Sequence, residues 1–131
     1  MKKLFFALLL PIFTNAQSVI CEFRIMKDKV IIEDTLTFVT IKNITKNTGY
    51  ITYSYNTAFY LDNDCEYMLT FMRDSCTNRM IHVTTDGCPK NKNYYNYLDV
   101  DLVSGNANSH NHMGSMWYNK TFDQFRYKVQ Q

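Results

Sequence analysis

The fold is decided by residues 66–85, which read EYMLTFMRDSCTNRMIHVTT. Apolar and more polar side chains alternate along residues 66–72, as they do in a strand that buries one face. The side chains of the face expected to be buried are Tyr67, Leu69 and Phe71. Residues 73–78 are polar and turn-like, and Ile81 and Val83 continue the alternation on the return. This stretch therefore predicts an antiparallel hairpin that packs one face on a core.

The same alternation recurs along the rest of the chain. Further strands are expected over residues 19–26, 30–33, 36–44, 50–55, 59–61, 98–103, 116–118 and 122–129. A second hairpin is predicted over residues 36–55, with a turn that ends at Gly49, a residue that adopts positive φ readily. Residues 87–95 and 105–114 lack the alternation and are expected to be loops.

The composition agrees with a protein built from strands. The chain has ten Tyr and nine Phe residues and many Thr, Ile and Val residues, which fit the half-buried surface of a sheet. Short strands with turns every 8–12 residues are typical of a sandwich. We therefore expect an all-β fold, an antiparallel Greek-key β-sandwich in one domain over residues 17–131. A less regular C-terminal extension is expected from about residue 104.

The N-terminal 16 residues have the order of a secretory signal peptide. Lys2 and Lys3 precede an apolar run, and Thr14-Asn15-Ala16 offers small residues for cleavage before Gln17. An uncleaved anchor is the alternative, although the apolar run is short for a membrane span. Cleavage removes two of the 14 basic residues, so that 12 remain against 12 acidic ones. A neutral chain lacks the excess positive charge that nucleic acid or anionic membrane would require.

Four cysteines remain after cleavage, an even number that predicts disulfides in an exported chain. Three pairings are possible. Cys65 and Cys88 flank the hairpin at the end away from its turn, which makes a bond between them sterically plausible. Cys21 and Cys76 are then the remaining pair. The alternative is that the cysteines are free thiols that pack as small hydrophobic residues.

No catalytic motif is present, and we expect neither an enzyme nor a cofactor. The aromatic cluster of Tyr94, Tyr95 and Tyr97 is the predicted contact surface, because rigid aromatic side chains are enriched in binding patches. The alternative site is a metal centre. Its candidate ligands are His110, His112, Met113 and Met116. Imidazole and thioether groups together suit copper, with zinc as the other candidate.

Residues 58–85 resemble part of a known fold family. Ala58-Phe59-Tyr60-Leu61, Tyr67-Met68-Leu69-Thr70-Phe71 and Arg79 to Thr85 resemble the transthyretin-like sandwich of carboxypeptidase regulatory-like domains in bacterial cell-envelope proteins. The turn expected there as Lys-x-Gly-Tyr reads Arg73-Asp74-Ser75-Cys76 in this chain. The resemblance implies a non-catalytic folding or docking module, with no metal or catalytic residue carried over.

These observations predict an exported, non-catalytic sandwich in the periplasm or at the cell surface of a bacterium. Frequent Asn, Lys, Tyr and Ile residues also indicate a low-GC bacterial genome. The expected partner is another envelope protein, bound through surface aromatic residues. The alternative function is periplasmic binding of copper or zinc by the segment that contains His110 and His112.

Overall fold

The computed structural model describes residues 19–32, 36–53, 56–106 and 108–129, and it describes residues 53, 56 and 57 by their backbone alone. The predicted signal peptide, residues 1–16, lies outside the described residues. The strands are β1 (Val19–Lys27), β2 (Val30–Ile31), β3 (Thr37–Asn43), β4 (Thr48–Tyr53), β5 (Asn56–Leu61), β6 (Glu66–Arg73), β7 (Asn78–Thr84), β8 (Tyr94–Leu102), β9 (His110–Asn119) and β10 (Gln124–Val129). The described part of the chain contains no helix, and so none that is long and apolar enough to span a membrane.

The strands form two sheets that pack as the layers of a sandwich. The six-stranded sheet has the order β10-β9-β7-β6-β3-β4. In the four-stranded sheet, β1 is the central strand, with β5 and β2 antiparallel to it and β8 parallel to it. The hairpins predicted from residues 66–85 and 36–55 are confirmed as β6–β7 and β3–β4. The all-β sandwich architecture is therefore confirmed, whereas its Greek-key connectivity stays a prediction.

The core lies where the inward faces of the two sheets meet. Phe23 of β1 is fully buried between Phe59 of its own sheet and Phe71 of the other. Its ring centroid lies 5.5 Å from that of Phe59 and 5.1 Å from that of Phe71. Burying each such side chain contributes roughly 1.5–3 kcal/mol to the stability of the fold. The alternation of β6 and β7 supplies the rest of this layer, with Leu69 and Ile81 fully buried.

Two strand pairs are parallel, so the expectation of a wholly antiparallel sandwich is wrong for them. β1 pairs with β8 in parallel, and β7 pairs with β9 in parallel. After β7 the chain crosses to the four-stranded sheet, forms β8, and returns to the six-stranded sheet as β9. Two reversals restore the original direction, and β9 therefore runs alongside β7 in the same sense. Side-chain alternation indicates which residues face inwards but not the order of the strands.

Several predicted loops and boundaries also differ from the structure. β8 begins at Tyr94 and β9 begins at His110, so the predicted loops over residues 87–95 and 105–114 extend too far. The C-terminal extension expected to be less regular from about residue 104 contains two regular strands of the six-stranded sheet, β9 and β10. The first residues of β9 are polar and exposed, so the sequence there shows no alternation of apolar and polar side chains. A β-bulge at Met113 then shifts the pattern of inward-facing residues by one.

The turn between β3 and β4 uses a different residue from the one the sequence suggested. Asn47 adopts a positive φ of 52°, whereas Gly49 lies within β4. Asn tolerates the left-handed conformation because its short side chain can bond to the local backbone. A side chain at position 49 would place its Cβ 3.0 Å from the carbonyl oxygen of Ile41, a contact so short that the hairpin backbone would have to shift to accept it.

Candidate functional site

A row of three apolar or aromatic side chains crosses the outer face of the four-stranded sheet. Ile20 of the central strand β1 pairs with Tyr60 of β5 on one side and with Tyr95 of β8 on the other. Tyr60 is 55% exposed and Tyr95 is 62% exposed. Because neighbouring strands lie ~4.8 Å apart, the backbones that carry the two tyrosines are ~10 Å apart. The row is therefore a flat, solvent-facing platform about three strands wide.

A third tyrosine extends this platform along β8. Tyr97 lies two residues beyond Tyr95 on the same face of the strand and is 51% exposed. In its row, Tyr97 pairs with Glu22 of β1, and Glu22 in turn pairs with the small residue Ala58 of β5. We define the aromatic face as Ile20, Tyr60, Tyr95 and Tyr97.

A charged pair borders the aromatic face in the next row. The Arg24 guanidinium donates through Nε and Nη2 to the two carboxylate oxygens of Asp99, at 2.9 and 2.8 Å. The Arg24 Cζ also lies 5.9 Å from the ring centroid of Tyr97. The hydrogen bonds to Asp99 raise the pKa of Arg24. Both side chains of the pair are about two-fifths exposed. Because ion pairs exposed to water contribute little to stability, the main effect of this pair is to place two charged groups at the border of the aromatic face.

The outer edge of β8 is next to the aromatic face. β8 pairs with β1 along one side, and none of the described strands pairs with its other side. An unpaired edge carries backbone donors and acceptors that a strand of another protein can complete. Tyr95 and Tyr97 stand directly above this edge, so a strand added there would bring its side chains onto the tyrosines.

Tyr94 does not belong to this surface, and its prediction as a contact residue is wrong. It is only 7% exposed and points between the sheets. Its ring packs edge-on against Tyr118 and Phe125, with centroids 5.4 and 5.9 Å away. Successive residues of a strand face opposite sides, which is why Tyr94 and Tyr95 cannot share a surface.

A carboxylate holds Tyr94 in this buried position. The Asp123 side chain accepts hydrogen bonds from the Lys92 ammonium, the Tyr94 hydroxyl and, at 2.7 Å, the Tyr118 hydroxyl. These donors, Lys92 first, hold the pKa of Asp123 well below its ordinary value. Desolvation and the hydrogen bond to Asp123 raise the pKa of Tyr94 in turn. The cluster closes one end of the sandwich and has a structural role.

The four predicted metal ligands do not come together. His110 is exposed at the start of β9, whereas Met116 is 4% exposed and lies in the core. Met113 occupies the bulge and packs against the core. Within the described residues, no three His, Cys, Asp or Glu side chains are grouped as a metal site. The sequence did not reveal that Met80 of β7 pairs with His112, because strand order is needed to see it.

All four cysteines are buried and carry free thiols. Cys21 neighbours Asn96 in the four-stranded sheet, with the Asn96 Nδ2 4.0 Å from the Cys21 Sγ. Cys76 lies beyond the far end of β8, where it bridges to Ser104. Six strand residues separate Asn96 from that end, a distance of ~20 Å, whereas a disulfide requires Cα atoms within ~7 Å. The expected pairing of Cys21 with Cys76 is therefore wrong.

Cys65 and Cys88 lie at one end of the sandwich. Thr85 connects them, since its N–H donates to the Cys65 carbonyl at 2.9 Å and its carbonyl accepts from the Cys88 N–H at 3.2 Å. A bond between these two cysteines stays a prediction. Burial raises the pKa of Cys88 to about 11 and that of Cys21 to about 12, so neither is a reactive thiolate at neutral pH.

A polar cleft adjoins the aromatic face at Tyr60. The cleft has a volume of about 260 Å³ and lies between β5 and the β3–β4 hairpin. The Asp62 N–H donates to the Tyr67 hydroxyl at 2.7 Å at its base, and Lys46 pairs with the Asp62 carboxylate at 2.9 Å. The cleft therefore extends the exposed surface beside Tyr60.

Comparison with protein-family models, with curated proteins and with solved structures gives no match to this chain. The resemblance to carboxypeptidase regulatory-like domains therefore stays a prediction from residues 58–85.

Proposed function

We propose that this protein is a non-catalytic binding module, exported to the bacterial cell envelope, and that its aromatic face contacts another envelope protein. One observation carries the proposal, namely that three half-exposed tyrosines surround Ile20 on the outside of a paired sheet. Tyrosine is enriched at the centres of protein interfaces because a rigid ring buries a large area at a small entropic cost.

The surroundings of the aromatic face support contact with a protein. The Arg24–Asp99 pair provides the polar border that is typical of an interface rim. The unpaired edge of β8 offers backbone hydrogen bonds beside the tyrosines, which favours the addition of a strand from the partner. Edge pairing and aromatic contacts would thus act on the same partner segment.

The proposed location depends on the N-terminal sequence. The basic, apolar and small-residue order of residues 1–16 supports export, and the neutral mature chain supports a protein partner over nucleic acid. The partner is accordingly expected in the periplasm or at the cell surface.

Site-specific photo-crosslinking in the intact envelope tests the proposal. We would place p-benzoylphenylalanine at position 95 or 97 and compare it with the same substitution at Ile51, which is 58% exposed on the other sheet. One defined crosslinked product from positions 95 and 97, with none from position 51, is expected. Products that are equal at all three positions, or absent from positions 95 and 97, would contradict the proposal.

A further inference from the structure

The register of the six-stranded sheet places a methionine next to a histidine on its outer face. In the parallel pairing of β7 with β9, Asn78 pairs with His110 and Met80 pairs with His112. Cross-strand neighbours are ~4.8 Å apart at the backbone, and His110 lies two residues from His112 on the same face. The pairing therefore brings two imidazoles and one thioether to the outer surface, and the inward-facing Met116 is not among them.

The neighbouring strand adds further thioethers to this face. In β6, Thr70 pairs with Met80, and Met68 and Met72 lie two residues to either side of Thr70. Alternation along a strand places all three on the same side of the sheet as Met80. Met68, Met72 and Met80 are each half-buried, as expected for side chains on the outer face of the sheet.

One histidine on this face has an unsatisfied nitrogen. The Nδ1 atom of His112 is buried and has no hydrogen-bond partner among the described residues. Buried polar groups in proteins are nearly always paired, and one without a partner points to a bound ion or water. Coordination would satisfy this nitrogen.

The second histidine is already oriented by a neighbour. The Nδ1 atom of His110 lies 3.5 Å from the Nδ2 atom of the Asn78 side-chain amide, and Asn78 is itself only 6% exposed. Rotating this amide by about 180° would turn its oxygen towards Nδ1, so that the oxygen accepts a hydrogen bond from Nδ1–H and Nε2 is free to bind a metal. Contacts of this kind fix the ring orientation of metal-binding histidines.

We propose that His110, His112 and Met80 bind Cu(I) on the outer face of the six-stranded sheet. Thioether ligands select Cu(I), and imidazole accepts it, whereas Mg²⁺, Ca²⁺ and Mn²⁺ prefer oxygen ligands. Zinc sites favour thiolate, carboxylate and imidazole ligands, usually three or four of them. Of these ligand types, His110, His112 and Met80 supply only two imidazoles. The site lies on the opposite sheet from the aromatic face and is independent of the proposed protein contact.

The bulge at Met113 explains why the histidines of β9 share the outer face with Met80, whereas Met116 does not. It lies between the pairs Met80–His112 and Ile81–Gly114, so that His110 and His112 precede the shift and face outwards. Met116 follows the shift and faces the core. The proposed ligands thus include Met80 in place of Met113 and Met116, which the sequence alone suggests.

Anaerobic titration of the mature chain with Cu(I), in competition with the chromophoric chelator bicinchoninate, tests the proposal. We expect one equivalent of Cu(I) to bind. Met80→Leu and His112→Asn should each weaken Cu(I) binding by at least about tenfold. Removing a residue that only orients a metal ligand typically costs about tenfold or more in metal affinity, and removing a ligand itself should cost at least as much. Met116→Leu is the matched control, because Met116 faces the core, and it should leave the affinity unchanged.

X-ray absorption of the Cu(I)-loaded chain identifies the ligands directly. A sulfur shell that is present in the wild-type protein and in Met116→Leu, and absent from Met80→Leu, is expected. Thermal melts confirm that each variant is folded. The proposal is overturned if the folded wild-type chain binds no Cu(I), if Met116→Leu removes the sulfur shell, or if Zn(II) displaces Cu(I) at equal concentration.

Discussion

Phe23 of β1 and Phe71 of β6 meet edge-to-face across the two layers, with ring centroids 5.1 Å apart and an interplanar angle of 65°. Both side chains are fully buried. The contact joins the central strand of the four-stranded sheet to the hairpin predicted most directly from the sequence. Because both rings are buried between the layers, this contact contributes to the stability of the sandwich.

Replacing Phe23 by alanine should lower the free energy of unfolding by about 3–5 kcal/mol, because it leaves a cavity between the sheets. Urea denaturation of the purified protein measures the change. Phe122→Ala is the matched control, since Phe122 is 60% exposed and contacts Arg126 through its ring face. That variant should lose less than about 1 kcal/mol. Equal losses in the two variants would contradict the packing described.

Replacing Asp123 by asparagine should change how stability depends on pH. The folded-state pKa of Asp123 is lowered, so its ionised form stabilises the fold above the unfolded-state pKa, and this stability is lost as the pH falls through the folded-state value. The wild-type protein should be more stable than Asp123→Asn at neutral pH, and the difference should shrink below about pH 4. Thermal melts across this range, with Asp86→Asn as an exposed control, measure the effect. A difference that stays constant on acidification would contradict the hydrogen-bond cluster.

Replacing Gly114 by alanine should destabilise the sheet by about 1–3 kcal/mol through overpacking. An added Cβ would lie 2.3 Å from the Lys128 carbonyl oxygen and 2.7 Å from the Tyr127 hydroxyl. The adjacent substitution Ser115→Ala, which removes only a hydroxyl from the other face, is the control. Urea denaturation distinguishes them, and an unaffected Gly114→Ala would show that β10 does not pack on β9 in this way.

The cysteines give a prediction by mass spectrometry. In the folded chain, Cys21 should resist alkylation at pH 8, because burial raises its pKa to about 12. If the predicted Cys65–Cys88 bond forms on export, unfolding without a reductant should expose only Cys21 and Cys76 to alkylation. Alkylation of all four would exclude the Cys65–Cys88 bond. A Cys21–Cys76 crosslink would contradict the strand arrangement.

The local structure was largely predictable from the sequence, whereas the surfaces were not. The inward direction of Leu69 and Ile81 follows from alternation alone. Predicting that Tyr95 is exposed and Tyr94 buried would have required knowing that β8 begins at Tyr94. The polar residues before Tyr94 made this segment look like a loop. The pairing of Met80 with His112 required strand order, because these residues are 32 positions apart and join through a parallel crossover. Non-local pairing of this kind leaves no mark in the local pattern of side chains.

The most direct test of the proposed function is native mass spectrometry of the chain purified gently from its own envelope. We would compare the wild-type chain with Tyr95→Ser/Tyr97→Ser and with Ile51→Ser as the exposed control on the other sheet. The account predicts a mature chain with one stoichiometric partner protein, retained in Ile51→Ser and lost in the double variant while the fold remains intact. A wild-type chain without a partner, or a partner retained by the double variant, would contradict it.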